Sequence, residues 1–92
     1  MKKLTTDEIN TAKNAVPDWQ VTEDTLLRTF TFNDFTHAFG FMTKVAIVAQ
    51  ELNHHPDWQN VYNTVYIRLS THDANGLTTN DFELASRIDR LV

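Results

Sequence analysis

The run from Asp34 to Leu52 limits the fold more than any other part of the chain. Phe35, Ala38, Phe39, Met42, Val45, Ala46 and Ala49 recur at spacings of three and four, which predicts an amphipathic α-helix. Asn33 is its expected cap, with Asp34 near the positive end of the helix dipole. A second apolar stripe passes through Phe41, Val45, Val48 and Leu52. One sheet covers one side of a helix, so this second stripe predicts a homo-oligomer, dimer or tetramer, formed through helix 34–52. Gly40 costs about 1 kcal/mol in a helix interior relative to Ala, which a close helix–helix approach there would offset. His55 precedes Pro56 and is pushed towards extended geometry, so the helix must stop near Asn53.

Around this helix the other elements follow from local signals. Thr5-x-x-Glu8 has the form of a capping box, and Ile9, Ala12, Ala15 and Val16 fall on one face of a short helix ended by Pro17. Trp19 and Val21 suggest a strand. After a polar turn, Leu26, Phe30 and Phe32 alternate with Leu27, Thr29 and Thr31, as in a half-buried strand paired with the first. Val65, Ile67 and Leu69 alternate with Tyr66, Arg68 and Ser70, and the preceding Gln59–Tyr62 is expected to pair with them through a turn near Asn63. Asn75-Gly76 marks another turn, and Thr78-x-x-Asp81 opens a last helix with Leu84, Ala85, Ile88, Leu91 and Val92 facing inward. The expected order is α-β-β-α-β-β-α, an α+β fold with a four-stranded antiparallel sheet and helices packed on one face.

Composition narrows the function. A chain of 92 residues suits one small domain, spanning 1–92. A net charge of −4, with basic residues scattered among acidic ones, argues against nucleic acid or an anionic membrane as a direct partner. The absence of cysteine removes disulfides, thiolate metal sites and cysteine nucleophiles. No long apolar span or signal-peptide core is present, so the expectation is a cytoplasmic protein.

The residues richest in chemistry are His54 and His55 at the foot of the long helix and His72 after a strand, which this layout brings towards one sheet edge. By residue type they suit either a metal or proton transfer near neutral pH. Adjacent side chains diverge, and no i,i+2 or i,i+4 histidine pair offers chelation from one rigid element, so no metal is expected. Ser70 and Thr71 lack a nucleophile-elbow context, and there is no phosphate-binding glycine loop.

The blocks His54-His55-Pro56-Asp57-Trp58, Asn60-Val61-Tyr62-Asn63, Leu69-Ser70-Thr71-His72 and Gly76-Leu77-Thr78 are similar to those of the pterin-4a-carbinolamine dehydratase family. So are Leu4-Thr5, Trp19, Phe32, Asp34-Phe35, Ala38-Phe39-Gly40-Phe41-Met42 and Asp81, and the resemblance covers nearly the whole chain. It implies a cofactor-free hydro-lyase that dehydrates 4a-hydroxytetrahydropterin to quinonoid dihydropterin, in recycling of the pterin used by aromatic amino-acid hydroxylases. His54, His55 and His72 match the family's active-site histidines, and Asp81 matches an acidic residue associated with the site. Pro56, Trp58, Thr71, Asp73 and Ala74 join the histidines as the expected pterin-binding set. The sequence does not divide the roles among the three; our working assignment puts His55 and His72 on the leaving oxygen, with His54 orienting the ring. The family often carries an acid four residues before the first histidine, where Gln50 stands here. Partners implied are the pterin, further copies of the chain and a pterin-dependent hydroxylase. The alternative is a non-catalytic interaction module, since animal members also serve as a dimerisation cofactor of a homeodomain transcription factor.

Overall fold

Alternation along the strands decides which side of the sheet the helices cover. The computed structural model describes residues 2–92. Its elements are α1 (Thr6–Lys13), β1 (Gln20–Thr22), β2 (Thr25–Thr31), α2 (Phe35–Leu52), β3 (Asp57–Val61), β4 (Thr64–Leu69) and α3 (Thr79–Asp89), with a 3₁₀ turn at His72–Ala74. The strands form one antiparallel sheet in the order β1-β2-β4-β3, and the expected α-β-β-α-β-β-α order holds. Val65, Ile67 and Leu69 of β4 are buried while Tyr66 and Arg68 are exposed. Their buried face meets Ala38, Phe41, Val45 and Val48 of α2 and Leu84, Ala85 and Ile88 of α3 in one core.

The capping boxes at Thr5/Glu8 and Thr78/Asp81 both form, each satisfying two backbone donors that a helix start leaves without partners. At α2 the cap is Asp34 rather than Asn33. Asp34 stays extended, and its carboxylate accepts from the His37 backbone N–H at 2.8 Å. That backbone bond holds the Asp34 carboxyl below its usual range.

Four other expectations need correction. The first helix ends at Lys13, so Val16 lies in the following turn, yet it is fully buried. The residue with positive φ in the β3–β4 turn is Tyr62, at 50°, while Asn63 uses its amide to donate to the Phe32 carbonyl at 2.9 Å. At the C-terminal end α3 stops at Asp89, leaving Leu91 half-buried and Val92 exposed. Most consequential, the buried face of α2 draws on both stripes, Ala38, Val45 and Ala49 from the first and Phe41 and Val48 from the second. Phe41, Val45 and Val48 face the chain's own sheet, whereas Phe35, Phe39 and Ile47 are 50%, 56% and 59% exposed. Apolar residues run round much of the helix, so periodicity alone does not say which of them the sheet takes. A Cβ added at Gly40 would meet nothing within 4 Å, so nothing within the chain approaches the helix there.

The end of α2 aims the next residues. Asn53 adopts the left-handed conformation (φ 50°, ψ 41°), its N–H reaches the Gln50 carbonyl, and the His54 N–H closes on Ala49 at 3.0 Å. This is a Schellman motif, which Asn tolerates better than most side chains. It reverses the chain so that His54 and His55 leave the helix beneath its last turn, and Pro56 then leads into β3.

Candidate functional site

The loop opposite the foot of α2 is shaped by Thr71 and Gly76, which form an isolated antiparallel bridge with Thr71 N–H donating to the Gly76 carbonyl at 2.9 Å. Asn75 at φ 58° lets the loop close. A Cβ at Gly76 would lie 2.7 Å from the Lys3 side chain and 3.2 Å from Asp24, so a larger residue there would push these two exposed side chains aside. The closed loop sets His72 and Asp73 against the end of α2. The resulting cavity of about 240 Å³ is lined by Asn53, His54, His55, Ser70, Thr71, His72 and Asp73. A larger hollow of about 470 Å³ between α1 and α3 contains no histidine and is mostly apolar, so chemistry of residue type favours the smaller one.

Beneath the cavity lies a hydrogen-bond network in which each proton has one place to go. His54 Nε2 lies 2.6 Å from Asp81 Oδ1, with the imidazole 11% exposed and the carboxylate fully buried. Asp81 Oδ2 accepts from the Thr71 hydroxyl at 2.8 Å and from the Thr78 backbone N–H at 2.9 Å. Thr71 has spent its proton on Asp81, so the 2.7 Å contact with Thr78 Oγ1 is the Thr78 hydroxyl donating to Thr71 Oγ1. An ionised carboxylate only accepts, so opposite ionised Asp81 the Nε2 of His54 carries the proton. The Nδ1 of His54 is then the ring nitrogen with a lone pair. No buried side-chain nitrogen or oxygen lacks a partner among the described residues.

His55 is held differently. Its Nε2 lies 3.0 Å from Gln50 Oε1 in the last turn of α2, and the pair is exposed. His72 is exposed at the head of the 3₁₀ turn.

The expected site residues therefore divide. His54, His55, Thr71, His72 and Asp73 share the cavity lining. Asp81, expected among the catalytic groups, is fully buried, bonded to His54 and not part of the cavity lining. Pro56, Trp58 and Ala74 are not part of the lining. Trp58 sits on the core-facing side of β3, opposite Ile67, and packs against the core. Sequence reasoning missed the hydroxyls of Thr71 and Thr78 as supports of the carboxylate, and Gln50 as the partner of His55. Among the described residues, no group of three or more His, Asp or Glu is placed to hold a metal ion.

The sequence model of the family described as pterin 4 alpha carbinolamine dehydratase matches residues 2–91. A Burkholderia vietnamiensis protein that carries the name pterin-4-alpha-carbinolamine dehydratase is 55% identical over 91 residues, covering 97% of this chain and 89% of the relative. The crystal structure of a transcriptional coactivator/pterin dehydratase from Brucella melitensis superposes with a TM-score of 0.93 at 40% identity, covering 98% of each chain. A pterin dehydratase-like protein described as a RuBisCO assembly factor in the alpha-carboxysome shares the fold, with a TM-score of 0.66 over 79% of this chain and 84% of that one. Its identity is 22%.

Proposed function

The chain belongs to the pterin 4 alpha carbinolamine dehydratase family, and from that premise we propose that it removes water from a 4a-hydroxytetrahydropterin in the cavity of His54, His55 and His72. The observation that carries this reading is the contrast between two imidazoles of one cavity, His54 seated on a buried carboxylate and His55 on an amide.

The reaction breaks the bond between the carbinolamine carbon and its hydroxyl oxygen. A lone pair of the adjacent ring nitrogen forms the C=N bond, that nitrogen loses its proton, and the leaving oxygen gains one to become water. His54 suits the accepting part. Its Nδ1 lone pair takes the proton from the ring nitrogen, and Asp81 compensates the imidazolium that forms, as the buried carboxylate does in an Asp–His pair. This gives His54 more than the orienting part expected from the sequence. His55 and His72 supply the proton to the leaving oxygen, and both are exposed enough to regain it from solvent. General acid–base steps of this kind contribute typically 10²–10⁴-fold each. The carbinolamine already loses water readily, so effects at the lower end are expected.

Loss of ultraviolet absorbance from freshly generated 4a-hydroxytetrahydropterin, followed with and without the protein, tests the reading. No acceleration would overturn it. The residues named move protons without a metal, so turnover should also survive exhaustive dialysis against a strong chelator. Recovery of lost activity on adding zinc would contradict this.

The working assembly is proposed to be a homo-oligomer in the cytoplasm, built through α2. Support comes from the apolar stripe of Phe35, Phe39 and Ile47 that the chain itself leaves uncovered, with the two phenylalanine rings 5.8 Å apart. Phe39→Glu with Ile47→Glu should place charges in a desolvated contact and split the assembly, as measured by light scattering. A wild-type monomer at micromolar concentration would rule the assembly out. The same stripe supports the second reading, an interaction module with another protein such as a pterin-dependent hydroxylase. Among the described residues, no helix is long and apolar enough to cross a membrane.

A further inference from the structure

The geometry points to Gln50 as a positioning residue for the dehydration: its neutral amide oxygen holds the Nε2 proton of His55, which makes Nδ1 the nitrogen that delivers a proton to the leaving oxygen. The inference rests on the dehydratase reading of the cavity.

Gln50 Oε1 and His55 Nε2 are 3.0 Å apart, a hydrogen bond in which an amide oxygen can only accept. The contact exists because of the Schellman turn at Asn53. That turn folds His55 back under the last turn of α2, where a long side chain five residues earlier reaches it. With Nε2 occupied, Nδ1 is the ring nitrogen left free for the cavity that His55 lines. The two adjacent histidines are therefore held alike, each with Nε2 as the anchored nitrogen, but on partners of different charge. Asp81 gives His54 a negative charge that compensates an arriving proton, which suits acceptance. Gln50 gives His55 orientation without a charge of its own. Orientation rather than charge is what this position supplies. An acceptor of either kind should serve there, and a side chain without one should not.

Gln50→Glu keeps an acceptor oxygen, and Gln50→Leu keeps bulk without one. Both positions are exposed, so both variants should fold. Long-range ¹H–¹⁵N spectra of the free protein should show neutral His55 with its proton on Nε2 in the wild type and in Gln50→Glu, and a mixture of tautomers in Gln50→Leu. In turnover of 4a-hydroxytetrahydropterin, Gln50→Leu should lower kcat by about tenfold with KM within about twofold, the low end for an acid–base contribution. Gln50→Glu should restore kcat to within about threefold of wild type. The proposal is overturned by a wild-type His55 protonated on Nδ1, by Gln50→Leu with unchanged kcat, by a fall in kcat without a change of tautomer, or by Gln50→Glu as slow as Gln50→Leu. Absence of turnover in the wild type would remove the dehydratase reading, while the spectra would still decide whether Gln50 sets the tautomer.

Discussion

Replacing Asp81 by Ala is expected to destabilise the fold by about 3–5 kcal/mol, the range for removing one partner of a buried charged pair. The substitution leaves His54 Nε2–H, the Thr71 hydroxyl and the Thr78 backbone N–H facing an empty space in which the carboxylate was fully buried. Against a total stability of about 5–15 kcal/mol this is a large fraction, and urea denaturation measures it. Asp81→Asn separates stability from chemistry. Its carbonyl oxygen can still accept from Thr71 and Thr78, which turns its NH₂ towards His54. His54 then bonds only with a lone pair on Nε2, and its proton moves to Nδ1, the nitrogen that has to accept one. The variant should fold and yet lose activity by roughly 10–1000-fold, within the reach of a general acid–base group. An Asn variant as active as the wild type would show that the tautomer of His54 does not matter.

Single substitutions of His54, His55 and His72 by Ala are expected to lower kcat by roughly one to three orders of magnitude. Double substitutions should cost less than the product of the singles, because groups that act as one unit are not additive. His72 and His55 are exposed, so their removal should leave stability nearly unchanged, whereas His54→Ala strands the Asp81 carboxylate and should also lower the urea midpoint. If the rings only bind the pterin, KM rises and kcat stays.

The fold was legible where local chemistry and long-range packing agree. Alternation at Val65, Ile67 and Leu69 marked the buried face of β4, and Thr78-x-x-Asp81 marked the start of α3. That box also held the site's main support in plain view. The cap uses Oδ2 of Asp81, which leaves Oδ1 for another donor, but nothing local says that the donor is a histidine 27 residues earlier. The Gln50 contact was hidden for a related reason, since it depends on the left-handed turn at Asn53 more than on helical spacing. On α2 the inward Ala38, Val45 and Ala49 were read correctly, but Phe35 and Phe39 traded places with Phe41 and Val48. Apolar residues run round much of the helix, and only the placement of the sheet separates them. Trp58 was included in the expected pterin-binding set, and alternation along β3 packs it against the core.

The most direct measurement follows 4a-hydroxytetrahydropterin by stopped-flow absorbance with the wild-type protein and with a variant in which His54, His55 and His72 are all Ala, its folding verified by circular dichroism. The expected result is accelerated loss of absorbance with the wild type and the uncatalysed rate with the variant. A folded triple variant that dehydrates the pterin as fast as the wild type would place the chemistry outside this cavity.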